Sequence, residues 1–193
     1  SPYGSSKLMT EIMLADTARA HPIRFVALRY FNVAGADPEG STGQSTPRAT
    51  HLSKVACETA LGQRERMDVF GTDYDTIDGT CVRDYIHVMD LARAHSAALA
   101  YLRKGGTSDI FNCGYSRGYS VSQVIDAVKR VSGVDFEVRL APRRAGDPAA
   151  IVAASEKIRA TLGWQPRLDD LDTIVANALA WERQLPARKA AAA

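Results

Sequence analysis

Short runs dense in β-branched, aliphatic and aromatic residues alternate along this chain with longer stretches whose apolar residues recur every three to four positions. No other feature constrains the fold as strongly. Strands interleaved with amphipathic helices bury their apolar faces best as an α/β protein with a mainly parallel sheet. Leu8, Ile12 and Ala15, widened by Met9 and Met13, predict a helix over 5–20 that Pro22 ends. Residues 23–30 read as a buried strand. A Gly/Pro/Ser-rich loop over 34–47 leads to a helix over 51–61, a strand over 67–70, a polar loop over 71–80 and an extended segment over 82–88. An alanine-rich helix over 90–102 stops at Gly105-Gly106, and 109–113 is a strand. Ser120 and Gln123 are spaced as a capping box for a helix that buries Val121, Val124, Ile125 and Val128. A strand over 136–140, helices over 155–162 and 171–184, and a frayed tail over 189–193 complete the reading.

Composition excludes several classes. With 24 Lys and Arg against 22 Asp and Glu, the net charge of +2 gives no electrostatic reason to expect nucleic acid. No apolar run approaches the roughly 20 residues that span a bilayer, so no membrane partner is expected. Cys57, Cys81 and Cys113 form no CxxC pair, which points to reduced, buried thiols and a cytoplasmic setting. No His, Cys, Asp or Glu set has metal-ligand spacing, so no metal is expected. No G-x-G-x-x-G or P-loop pattern occurs. The chain opens at Ser1 straight into a helical pattern, and a segment upstream of Ser1 is expected.

Tyr3 and Lys7, at i and i+4, share one helix face. A free phenol titrates near about 10 and is a poor base at neutral pH, but an adjacent ammonium favours the phenolate and makes proton abstraction from a hydroxyl feasible. The spacing alone fits equally a surface tyrosine over a lysine stem.

Around this pair, Ser1-Pro2-Tyr3-Gly4-Ser5-Ser6-Lys7 and then Leu28-Arg29-Tyr30-Phe31-Asn32-Val33-Ala34-Gly35-Ala36 resemble the extended short-chain dehydrogenase/reductase family. The segment from Gly79 to Leu91 (GTCVRDYIHVMDL), Ala141 to Asp147 (APRRAGD) and the Leu162-Gly163-Trp164-Gln165-Pro166 turn resemble its UDP-glucose 4-epimerase branch. The resemblance implies a 4-epimerase for UDP-glucose and UDP-galactose, in which hydride passes transiently from sugar C4 to tightly bound NAD through a 4-keto sugar. It implies that Tyr3 is the base, that Lys7 holds the nicotinamide ribose and tunes Tyr3, and that Phe31 abuts the nicotinamide. Substrate contacts fall on Asn32, His51, Leu52, Asp68, Phe70, Arg83, Tyr85, Arg144 and Asp147.

Guanidinium groups suit a diphosphate, and the resemblance assigns phosphate contact to Arg83 and Arg144. Alternatively, Arg83 pairs with Asp84 and Arg144 belongs to a solvated Arg143-Arg144 pair. Asn32 and Asp147 fit turns equally well, Phe70 and Tyr85 fit the core, and His51, where many relatives carry asparagine, fits a helix cap. His87 is read as structural, and His21 and His95 carry no role. Ile151 stands where relatives vary with the sugar accepted, which keeps UDP-N-acetylhexosamine open. A 4,6-dehydratase, a uronate epimerase and a non-catalytic nucleotide-sugar-binding module are the rival readings. By the same resemblance, residues 1–36, with part of 86–114, close a Rossmann-type NAD-binding domain. Residues 37–185 form a smaller mixed α/β substrate-binding domain, and 186–193 form a tail. A homodimer is expected. These 193 residues by themselves are expected neither to retain NAD nor to epimerise.

Overall fold

The computed structural model describes the backbone of residues 1–191 and the side chains of residues 1–188. Helix α1, Pro2–Ala20, starts earlier than the apolar pattern indicates because the Ser1 hydroxyl accepts the Gly4 N–H at 3.1 Å. Pro2 fills a first-turn position where a missing N–H costs nothing. Its apolar stripe does not face a core: Leu8, Met9, Ile12 and Met13 are each 52–61% exposed. An amphipathic helix needs a surface to cover, and the described residues offer α1 none. A fork from Arg29 to Glu11, with Nε 2.6 Å from Oε1, ties the helix to the next strand.

That strand, β1 (Val26–Tyr30), runs parallel to β6 (Asp109–Cys113). β2 (Asn32–Ala34) runs parallel to β5 (Tyr85–His87), with Asn32 opposite Tyr85. β3 (Met67–Phe70) runs parallel to β8 (Val138–Ala141). β4 (Val82–Arg83) lies between antiparallel β7 (Tyr119–Ser120) and parallel β9 (Ala150–Ile151). Pairing is therefore mainly parallel, as the pattern predicts, but it is divided into small ladders. The expected extended segment over 82–88 breaks at Asp84. This wholly buried carboxylate accepts backbone N–H groups from Tyr115 (3.0 Å), Ser116 (3.1 Å) and Ala153 (3.2 Å), binding three segments into one knot.

Helices α2 (Leu52–Ala60), α4 (Val121–Ser132) and α6 (Leu171–Ala191) pack together around Val124, Val128, Ile174 and Val175. The capping box forms: Gln123 N–H donates to Ser120 Oγ at 3.1 Å, and Ser120 N–H donates to Gln123 Oε1 at 2.9 Å. Helix α3 (Val88–Arg103) starts ahead of Asp90 because the His87 imidazole caps it, accepting the Met89 N–H at 3.1 Å. α5 is Glu156–Leu162, closed by left-handed Gly163. α6 continues through Pro186 to Ala191, so most of the expected tail is helical, and residues 192–193 of that tail lie outside the described residues.

His87 is fully buried, with Nε2 3.0 Å from Asn177 Oδ1, and burial pushes its pKa down. It packs so closely on Gly35, at φ +78°, that a Cβ there would lie 2.6 Å from the ring; only glycine fits. His87 is structural, as the sequence reading has it.

Candidate functional site

A cleft of about 680 Å³ opens between β3, β4 and the segment that enters α2. Its walls carry Asn32, His51, Leu52, Asp68, Phe70, Arg83, Tyr85, Arg144 and Asp147. These are all nine side chains expected to hold substrate.

Local structure explains each position. Asn32 opens β2 opposite Tyr85, and its N–H is fixed by the Asp84 carbonyl at 3.0 Å. Tyr85 is 3% exposed, and burial drives its hydroxyl pKa well up, so it packs as a neutral phenol. Asp68 and Arg139 are direct cross-strand partners in the β3–β8 ladder and form a fork at 2.8 and 3.0 Å. The Arg139 hydrogen bonds hold the Asp68 carboxyl below its usual range, against the opposing effect of burial.

Arg83 does not pair with Asp84, the alternative its neighbour offered. Its Nη2 lies 2.5 Å from Asp147 Oδ1 and 2.8 Å from the Pro148 carbonyl, and Nη1 donates to the Val82 carbonyl at 2.7 Å. Two expected site residues thus hold each other, and the guanidinium is oriented before any ligand arrives. Nor do Arg143 and Arg144 form a merely solvated pair. Arg143 bonds Asp73 and stacks 4.0 Å from the Tyr74 ring. Arg144 meets no carboxylate among the described residues and lies 3.9 Å from the Phe70 ring centroid inside the cleft.

Five arginines line the cleft (Arg48, Arg64, Arg66, Arg83 and Arg144) against two aspartates, Asp68 and Asp147. Arg64, Arg66 and Arg83 pair with Glu58, Glu65 and Asp147, so among the described residues Arg48 and Arg144 carry the unpaired positive charge that suits a polyanionic ligand. Sequence reasoning missed Arg48, Arg64 and Arg66, which lie in polar loops without periodicity. The detectable signal was charge density, four charged residues from Arg64 to Asp68. Arg48 sits at φ +53°, a left-handed backbone uncommon for arginine. The first turn of α2 reaches the same cleft, and its N-cap residue His51 makes no side-chain capping bond. Its orphan amides are available to an anion.

Tyr3, Lys7 and Phe31 are not among the cleft's lining residues. Tyr3 is 73% exposed on α1, and Lys7 Nζ sits 5.3 Å from its ring centroid, so the phenol and ammonium do share a face. Half-buried Phe31 joins β1 to β2, immediately before Asn32. Ile151 lies in register with Arg83 across β4 and β9, outside the cleft lining. Among the described residues no group of three or more His, Cys, Asp or Glu side chains is arranged to hold a metal ion. No helix among them is long and apolar enough to cross a membrane.

An α/β chain with short parallel ladders thus gathers arginines in one cleft with an open helix N-terminus beside them, an arrangement suited to an anion. Residues 1–114 match the NAD dependent epimerase/dehydratase family, and the chain belongs to that family. It is 60% identical over 185 residues to the UDP-glucose 4-epimerase of Azospirillum brasilense, a match covering 96% of this chain and 53% of that protein. It resembles the crystal structure of UDP-glucose 4-epimerase from Brucella ovis in complex with NAD, at 44% identity and a TM-score of 0.89, over 93% of this chain and 55% of that one. The Bifidobacterium longum UDP-glucose 4-epimerase in complex with NAD+ and UDP gives 40% identity and a TM-score of 0.89, over 96% and 56%. The chain spans about half the length of the curated relatives it matches.

Proposed function

We propose that this chain forms the nucleotide-sugar-binding part of an enzyme that interconverts UDP-glucose and UDP-galactose by inverting C4. The observation that carries the reading is the convergence, on one arginine-lined cleft, of nine side chains that the sequence resemblance assigns to substrate.

The cleft holds UDP: Arg83, Arg144 and the α2 amides take the pyrophosphate, Phe70 takes the uracil face, and Asp147 takes ribose hydroxyls. Asn32 and Tyr85 line the same walls, and Leu52 gives apolar support. Tyr3 takes the proton from O4 of the sugar and becomes a neutral phenol, and the Lys7 ammonium over its ring stabilises the negative charge its oxygen carries before that transfer. The residues present fit the nicotinamide end of NAD, since Tyr3 and Lys7 share one open face of α1 and Phe31 leads directly into Asn32. NAD, when bound, supplies a reversible hydride acceptor for C4.

The same reading divides the chain into 1–36 with part of 86–114 on the cofactor side, and 37–185 on the substrate side. The exposed Leu8, Met9, Ile12 and Met13 stripe supports a homodimer, and three buried free thiols support a cytoplasmic setting.

The test is Tyr3→Phe in the complete protein, assayed by UDP-galactose turnover and UDP titration. Turnover falls at least about 100-fold while UDP affinity holds, as loss of a general base requires. Unchanged turnover overturns the proposal.

A further inference from the structure

His51 lines both the cleft and a neighbouring cavity of about 300 Å³, and Gln44 lines the smaller cavity beside it. The Gln44 side-chain nitrogen is 2.9 Å from His51 Nδ1. An amide nitrogen can only donate, so Nδ1 is the acceptor, and a neutral imidazole must then carry its hydrogen on Nε2. Nε2 has no protein partner among the described residues.

Gln44 is itself braced. Its backbone carbonyl accepts the Trp181 Nε1–H at 3.1 Å. Gly43 lies so flat on the same indole that a Cβ would come within 2.5 Å of the ring. Trp181 belongs to α6 and is 7% exposed, so the brace is part of the core.

The geometry points to Gln44 as a positioning residue, held by Trp181, that fixes His51 in the Nε2–H tautomer so that the ring offers a neutral donor to a phosphate oxygen beside the α2 amides. The inference rests on the nucleotide-diphosphate reading of the cleft.

Two measurements on the chain decide it. Long-range ¹H–¹⁵N correlation of the imidazole reads the tautomer without ligand. The unsubstituted chain gives the Nε2–H form, Gln44→Leu gives a mixture, and Gln44→Glu, which can only accept, gives Nδ1–H. Calorimetric titration shows Gln44→Glu, in which the His51 ring lacks the Nε2–H, weakening UDP at least about 10-fold, the scale of one charge-assisted hydrogen bond, with uridine unaffected. Gln44→Leu, with a mixture, weakens it only about 2-fold. In the His51→Asn background, where no tautomer exists to fix, adding Gln44→Glu costs less by about that 10-fold factor. An Nδ1–H tautomer in the unsubstituted chain, or an equal Gln44→Glu cost in both backgrounds, overturns the inference. Failure of the unsubstituted chain to bind UDP overturns the nucleotide reading instead, and the tautomer spectra still decide the Gln44–His51 relation.

Discussion

Replacing Lys54 by methionine removes a cation that sits in the first turn of α2, 2.6 Å from Glu182 of α6 and 3.1 Å from Glu58. The Lys54 and Glu182 side chains are each 6% exposed, so the substitution strands a carboxylate out of water. Glu58 keeps Arg64, whose Nε lies 2.5 Å from Oε2, so the loss concentrates on Glu182. Breaking a buried pair from one side costs about 3–5 kcal/mol, and the surviving Glu58–Arg64 pair puts this case near the lower end. At about 2–4 °C per kcal/mol for a chain of this size, the melting temperature falls by about 6–12 °C.

Burial opposes the charge on Lys54, but the two carboxylates outweigh it and raise its pKa above the usual lysine value. The pair's contribution is therefore fully present below the unfolded pKa and is lost only as pH rises through the folded one. The difference between the two proteins stays flat from pH 6 to 9. Thermal melts followed by circular dichroism read it. Lys54→Met with Glu182→Leu removes both charges and recovers most of the loss. A melting temperature for Lys54→Met within about 1 °C of the parent, or a double variant no better than the single, would refute the reasoning.

Arg83→Lys keeps a charge but loses the fork geometry with Asp147 and Pro148, so UDP binds at least about 10-fold more weakly in calorimetry. Tyr115→Phe loses the bond to Asp90 at 2.8 Å and leaves the His87 N–H, 2.9 Å away, unsatisfied; urea titration should report a loss of about 1–3 kcal/mol. Burial pushes the Cys57 and Cys113 thiols up to about 12, so neither reacts with iodoacetamide at pH 8 until the chain unfolds, as peptide mass mapping would show. Because burial lowers the folded pKa of His87, its contribution is present above its unfolded value, near 6.5, and is lost as pH falls through the folded one. His87→Asn flattens the stability profile between pH 7 and pH 5.

The helices were legible because their signals are local. The Ser120–Gln123 capping box, the apolar stripe of α4 and the Gly163 stop each lie within a few residues, and each forms. The ladders were less so: β7 and β9 are two residues long, too short for alternation to register, and they exist because Arg83 and Asp84 gather distant backbone. The nine cleft residues came from resemblance to a family, since nothing in the spacing of Asn32, Phe70 and Asp147 states that they meet. Asp84 looked like a local partner for Arg83, yet it is wholly buried in backbone amides. Burial of a carboxylate is a tertiary fact with no local signature. The α1 stripe was read as apolar and it stands exposed, because periodicity shows that a face seeks a partner without naming one.

Titrating UDP into the chain, alongside a variant with Arg83 and Arg144 both changed to alanine, asks whether these guanidinium groups grip a pyrophosphate. Saturable one-to-one binding that the double variant weakens at least about 100-fold, with free uridine bound equally by both, is the expected result. Equal UDP affinity in the two proteins would contradict it.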